Sequence, residues 1–177
     1  MNTHFLKLTE THDIKNFTCG TKKKDIDLTD FLLKEAKLYY TQKLGVTYLI
    51  ENEYDTIAYC TILNDKIERS SIASSFWNKF NRKNIVNEQR RKSYPAIKIG
   101  CLATNEKYQG QGFARILVNF IKSHLLSDEQ FSGCRFITVD AYNDKSVIDS
   151  YTRMGFTFIQ DSDKDDVTRC MYLDITK

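Results

Sequence analysis

At 177 residues, with 41% hydrophobic and 28% charged positions, the chain has the size and composition of one globular domain, because cores split only beyond about 250 residues. One proline and seven glycines exclude collagen-like, linker-rich and low-complexity classes. A net charge of +3 is too small to mark a nucleic-acid binder by itself. Residues 1–177 are therefore expected to form a single domain.

Asp27 is placed to cap a helix that carries Leu28, Phe31, Leu32, Ala36 and Tyr39 on one face, and Gly45 to end it. Val46–Glu51 and Thr56–Leu63 are rich in β-branched and aromatic residues and flank a short polar cluster, which predicts a hairpin. Residues 64–94 are polar, with Phe76, Trp77 and Phe80 able to seat one short helix. Lys79, Arg82, Lys83, Arg90, Arg91 and Lys92 against Glu88 give this stretch a local charge of +5. It reads either as a solvated connection or as a surface facing a phosphate-rich partner.

Ile97–Ala103 has the pattern of a buried strand, and Gly112–Leu126 that of a helix with Phe113, Ile116, Leu117, Phe120, Ile121 and Leu125 on one stripe. A strand at Arg135–Ala141, a helix from about Ser146 to Met154, and strands near Phe156–Ile159 and Arg169–Ile175 follow. Asp161, Asp163, Asp165 and Asp166 read as a solvated acidic hairpin; an EF-hand would need a loop glycine and a terminal glutamate. The five cysteines and three histidines show no metal-ligand spacing, so reduced, mostly buried thiols and no metal site are expected. No apolar run approaches the ~18 residues that span a bilayer, and Met1–Asp13 lacks the apolar core of a signal peptide, which predicts a cytoplasmic protein without a membrane partner.

The segment Tyr108-Gln109-Gly110-Gln111-Gly112-Phe113-Ala114 carries the chemistry. A strand, a glycine-bearing turn and a helix start together form an anion site: the first amides of a helix have no internal partner, and the helix dipole adds about half a positive charge. Gly110 and Gly112 let a phosphate approach the main chain, and Arg115 adds a cation. A Walker loop is excluded because no Gly-Lys-Ser/Thr follows. A dinucleotide fingerprint is excluded because Arg115 stands where glycine or alanine is required.

Gln109-Gly110-Gln111-Gly112-Phe113-Ala114 fits the Gln/Arg-x-x-Gly-x-Gly/Ala signature, and Tyr151-Thr152-Arg153-Met154-Gly155-Phe156 follows Val139-Asp140-Ala141-Tyr142-Asn143 in the right order. On these motifs the chain resembles the GNAT superfamily of acyl-CoA N-acetyltransferases. Phe17-Thr18-Cys19-Gly20, Asp27-Leu28-Thr29-Asp30-Phe31-Leu32 and Gly45-Val46-Thr47-Tyr48 are similar to the branch containing toxins of bacterial toxin–antitoxin pairs, which acetylate aminoacyl-tRNA. The chain departs from that branch at Cys101, where an arginine is expected, at Thr104-Asn105 in place of Val-Asp, and in the inserted Lys22–Lys24 run.

The resemblance implies an α/β (α+β) fold with a central mixed, mostly antiparallel sheet of six or seven strands and helices on both faces. It implies that acetyl-CoA is the cosubstrate, its pantetheine arm running along Leu102, Ala103 and Thr104. The diphosphate would sit on the amides of Gln109, Gly110, Gln111, Gly112, Phe113 and Ala114, with Arg115 as a charged contact, and Asn143 would be a further cofactor-binding residue. The Leu102 N–H would polarise the thioester carbonyl, and Tyr151 would protonate the departing thiolate, a role that suits a phenol with a pKa of about 10. Asp140 and Glu106 are candidate general bases, although a carboxylate in either place is more often solvated or structural. That favours an α-amine, about a third neutral near pH 7.4, over a lysine that is roughly 0.1% neutral. The leading acceptor is therefore aminoacyl-tRNA, with Lys22–Lys24 and Lys79–Lys92 on its backbone. The alternatives are a small-molecule or protein amine, and a non-catalytic acyl-CoA-binding module. An antitoxin partner and a homodimer are further implications of the resemblance.

Overall fold

Strand-forming stretches rich in Val, Ile, Thr and aromatics are interleaved here with helical segments, and the computed structural model shows how they assemble. It describes residues 2–72, 74, 77–78, 92–127 and 132–176. Among these, seven strands form one sheet: β1 (His4–Lys7), β2 (Val46–Glu51), β3 (Thr56–Glu68), β4 (Ser93–Thr104), β5 (Phe136–Tyr142), β6 (Thr157–Phe158) and β7 (Thr168–Asp174). Their order is β1-β2-β3-β4-β5-β7-β6. The β1–β2, β2–β3, β5–β7 and β6–β7 pairs are antiparallel, so the expected mixed, mostly antiparallel architecture is present. The helices are α1 (Lys23–Asp30), a π-helical turn (Phe31–Glu35), α2 (Ala36–Thr41), α3 (Phe113–Leu126) and α4 (Lys145–Arg153).

Two compact units carry these elements, and both β3 and β4 run through each: Met1–Leu63 with Ile99–Ser123, and Asn64–Lys98 with His124–Lys177. In the first, Leu8, Phe17, Leu32, Ala36, Leu49, Tyr59 and Ala103 make a continuous core. The predicted stripe of α1–α2 is correct for Leu32 and Ala36, but the helix begins earlier than Asp27. The Asp25 carboxylate accepts the Lys22 amide (3.3 Å), and Gly20, at φ 140°, passes so close that a Cβ there would lie 2.6 Å from Asp25 Oδ2. Nor does Gly45 end the helix; Lys43 takes the left-handed turn, at φ 59°. Gly45 is needed for space, since a Cβ there would meet Leu63 Cδ2 at 2.6 Å, and Gly100 is crowded by the same leucine (Cδ1, 2.9 Å). On α3 the buried residues are Leu117, Val118 and Ile121, whereas Ile116 is about half exposed.

In the second unit a chain of rings forms the core: Trp77 on Tyr94 (4.9 Å between centroids), Tyr94 on Phe136 (5.7 Å) and Phe136 on Tyr172 (5.9 Å). Arg135 lies over Tyr94 and Phe136 and pairs with Asp174 (2.9 Å). Much of the stretch expected to be a solvated connection is therefore structure, because β3 continues to Glu68, β4 starts at Ser93, and Trp77 is 2% exposed. Phe76, Phe80 and the cations Lys79, Arg82, Lys83, Arg90 and Arg91 lie outside the described residues. The acidic hairpin is corrected at Asp163. That carboxylate is buried, accepts the Cys170 amide (2.7 Å) and pairs with Arg169 (3.3 Å).

Helix α4 starts on Asp144, whose side chain accepts the Ser146 amide (2.8 Å), and ends in a Schellman cap. Phe156 N–H donates to Tyr151 O (3.1 Å) and Gly155 N–H to Thr152 O (3.0 Å), with Gly155 at φ 95°. The Tyr151 and Phe156 rings meet edge-on at 5.3 Å, the hydrophobic contact that accompanies this cap. A Cβ on Gly155 would be strained at that φ and would press on Leu173 Cδ1 at 3.2 Å. Gly155→Ala is therefore expected to cost about 1–2 kcal/mol, read as a Tm fall of roughly 2–8 °C in thermal unfolding.

Candidate functional site

The turn between β4 and α3 is shaped by a buried amide. Asn105 is 1% exposed, and its Nδ2 donates to Asn16 O (3.2 Å) and Thr56 O (3.1 Å). Its main-chain N–H donates to Ile57 O (2.8 Å), its Oδ1 accepts the Lys107 amide (3.2 Å), and its carbonyl accepts the Tyr108 amide (2.8 Å). A short side chain with both donor and acceptor suits this place; leaving such a group buried and unbonded would cost about 1–3 kcal/mol.

A second set of bonds holds the next residues. Tyr108 Oη donates to Asp55 Oδ2 (2.9 Å) and accepts from Asn52 Nδ2 (2.9 Å), while Lys107 Nζ reaches Asp55 Oδ1 (3.1 Å). Asn52 Oδ1 accepts the amides of Tyr54 and Asp55 (both 2.8 Å), which aims Asp55 at the turn. The bond from Lys107, with that from Tyr108, holds the Asp55 carboxyl below the usual carboxylate range. Sequence reasoning missed this brace of Asn52, Asp55, Lys107 and Tyr108. The Asn-x-x-Asp spacing in a hairpin loop was the available signal.

Beyond the brace, Gln109 turns its side chain inward, donating to Cys19 O (2.8 Å) and Thr104 O (3.3 Å), so its side chain supports the turn. Gly110 and Gly112 have φ of 77° and 87°, and a Cβ at either would meet no atom within 4 Å. The glycines thus serve the backbone conformation, and the space over them is open. Ile116 N–H bonds to Gly112 O (3.1 Å), so the amides of Phe113, Ala114 and Arg115 precede the first such helical bond. Gln111 and Arg115 are exposed, and the Phe113 ring packs edge-on against Tyr108 (6.3 Å). Residues 109–115 contain no carboxylate. Amides, the positive end of a fourteen-residue helix and open space together fit a diphosphate.

On β4, Ala103 is buried in the first unit's core, and Leu102 and Thr104 are half-buried. Burial pushes the neighbouring Cys101 thiol up to about 11, and raises Cys19, Cys60, Cys134 and Cys170 too. All five are free thiols, two of them buried, and none has the depressed pKa of a cysteine nucleophile.

In the second unit, Tyr151 is 8% exposed at the capped end of α4. Asn143 Nδ2 donates to Lys164 O (2.9 Å) and Asp166 O (3.0 Å), so that amide group ties β5 to the acidic hairpin. Asp140 pairs with Lys98, and Glu106 is exposed with its amide on Thr18 O (2.8 Å). Lys22 and Lys23 are exposed. Among the described residues no group of three or more His, Cys, Asp or Glu is placed to hold a metal, and no helix is long and apolar enough to cross a membrane.

Because the folded-state pKa of Asp55 is depressed, its stabilisation is present above the unfolded carboxylate value and is lost as pH falls through the folded value, below 3.8. Asp55→Asn is expected to lower stability at pH 7 by roughly 1 kcal/mol. The difference from the parent should close on acidification past that value, as measured by thermal unfolding against pH.

A comparison with curated protein sequences returns no match. Solved structures are similar over nearly the whole chain. A Tyr-to-Phe mutant of KacT is 18% identical over 99% of this chain and 96% of its own, with a TM-score of 0.78. A Tyr-to-Phe mutant of the AtaT toxin, bound to the C-terminus of the antitoxin AtaR and acetyl-CoA, is 18% identical over 99% and 95%, with a TM-score of 0.75. AtaT complexed with acetyl-methionyl-tRNAfMet is 21% identical over 99% and 96%, with a TM-score of 0.73. At these identities the likeness establishes a shared fold. The acetyltransferase (GNAT) family model matches residues 32–156, a span running from the buried face of the first helical segment through the glycine turn before α3 to the capped end of α4, and the chain belongs to that family.

Proposed function

We propose that the protein moves the acetyl group of acetyl-CoA to a primary amine, and that the acceptor is the α-amine of aminoacyl-tRNA. The observation that carries the first part is the braced turn, where open space lies over Gly110 and Gly112 and α3 presents amides ahead of its first internal bond. Those amides hold the diphosphate, with Arg115 as a charged contact, while Asn143, its side-chain N–H groups engaged by Lys164 O and Asp166 O, meets the cofactor elsewhere along its length. The pantetheine arm follows Leu102, Ala103 and Thr104. The family membership and the acetyl-CoA complex of AtaT support this assignment.

In the reaction the acceptor nitrogen attacks the thioester carbonyl, and the Leu102 N–H stabilises the charge on oxygen. The C–S bond then breaks, the Tyr151 hydroxyl gives its proton to the thiolate, and the nitrogen sheds its own proton to solvent. With Asp140 engaged by Lys98, an acceptor that is already partly neutral fits the residues present. The raised thiol pKa values favour direct transfer over an acetyl-cysteine intermediate. AtaT in complex with an acetylated aminoacyl-tRNA supports the choice of acceptor. In this reading the two compact units act as one domain in the cytoplasm, a cognate antitoxin restrains the enzyme, and two copies associate.

Incubation with labelled acetyl-CoA and charged tRNA, uncharged tRNA, peptides and small amines tests the proposal, with mass spectrometry of the products. N-acetylaminoacyl-tRNA is the expected product. Acetylation of small amines or peptides alone would replace the tRNA acceptor, and CoA binding without thioester cleavage would leave only a binding module. Tyr151→Phe is expected to lower turnover by about 10²-fold or more while CoA affinity changes less than twofold. Affinity for charged tRNA should fall by about 10²-fold between 50 and 200 mM salt if some four lysines or arginines meet phosphates, as binding titrations would show.

A further inference from the structure

The end of α2 carries the same cap as α4, with a lysine in the glycine's place. Leu44 N–H donates to Tyr39 O (2.9 Å) and Lys43 N–H to Tyr40 O (3.2 Å), so Lys43 is the residue turned left-handed. Among the described residues it is the only non-glycine residue with positive φ. A glycine adopts that conformation freely, whereas any side chain there crowds its own backbone. Such strain persists where a side chain is wanted at a point that this backbone alone reaches.

The point reached is the ring of Tyr40. The Lys43 ammonium lies 5.0 Å from its centroid, and Lys7, from β1, places a second ammonium 5.6 Å from the same centroid. Both lysines are exposed, and neither forms an ion pair among the described residues. Attraction to the ring holds each cation, yet two like charges at one ring repel unless an anion joins them. Lys34, on the same helical segment, is already paired with Asp30 (2.7 Å).

We infer that Lys7, Tyr40 and Lys43 form a contact site for the phosphodiester backbone of the RNA acceptor, an inference that rests on the aminoacyl-tRNA reading above. A nucleic-acid strand carries a charge at every nucleotide, so neighbouring phosphates satisfy both ammonium groups together. Lysine, a compact point charge with three donors on a flexible stem, meets phosphate oxygens from any direction, which suits a backbone of repeating phosphates. Tyr40 keeps both cations at the surface, and the site sits in the same compact unit as the diphosphate turn.

The full-length protein and its Lys43→Gly, Lys7→Ala and double variants test this, with binding to a charged-tRNA pool followed by fluorescence anisotropy over a salt series. Lys43→Gly relieves the backbone, so its Tm should hold or rise by roughly 2–4 °C. Its tRNA affinity should nevertheless drop several-fold at low salt, with the slope of log affinity against log salt reduced by about one, and by about two in the double variant. Affinity for acetyl-CoA, measured by calorimetry, should not move in any of them. Unchanged tRNA affinity and slope in all three variants would overturn the site while leaving the acceptor assignment standing. No tRNA binding by the parent protein would overturn both, and weakened binding of an acidic peptide in place of tRNA would reassign the site to a protein partner.

Discussion

One buried amide group sets the geometry of the turn between β4 and α3. Asn105 joins the end of β4 to the chain at Asn16, Thr56 and Ile57, and its own Oδ1 and carbonyl begin the turn that follows. In a site shielded from water each of these bonds is hard to replace, because breaking one leaves a polar group with nothing else to meet. Asp55 and Asn52 then fix Tyr108 and Lys107 from the hairpin loop. The two glycines are left with only one task, which is to bend the main chain so that its amides face outward.

The second family signature has an equally local cause. Tyr151, Gly155 and Phe156 are the third-from-last helical residue, the left-handed residue and the residue after it in a Schellman cap. An apolar residue followed four positions later by glycine and a second apolar residue suits this helix ending, quite apart from any chemistry at the hydroxyl. The cap fixes where Tyr151 sits on its helix and turns the chain sharply into β6.

What the sequence made legible follows from how local the cause was. β2 was readable to the residue because Val46–Glu51 is rich in β-branched and aromatic residues and stops at a polar loop, and the start of α3 was close because glycine marks it. Around Leu117 and Ile121, apolar residues flank both sides of the stripe, so periodicity alone could not choose Val118 over Ile116 for burial. The start of α1 was misplaced because Asp25 reaches back to the amide of Lys22, while Asp27 looked like the more ordinary cap. The π-helical turn at Phe31–Glu35 leaves no sequence mark, since it adds a residue without changing residue types. The Asn52–Asp55 spacing marks a loop in the sequence, but its partner Tyr108 lies more than fifty residues away, and nothing local points to it.

Leu63 deserves a last consequence. Its two methyl groups occupy the room left by the missing Cβ atoms of Gly45 and Gly100, on either side of β3. Sliding β2 or β4 by one position would drive a real side chain into that methyl, so the leucine works as a dowel between neighbouring strands. Leu102 stands two residues after Gly100 on the same strand, and the bend at Gly110 is reached from it through a fixed count of residues. The placement of the end of β4 against the glycine turn is thus indexed to one hydrocarbon peg on the neighbouring strand.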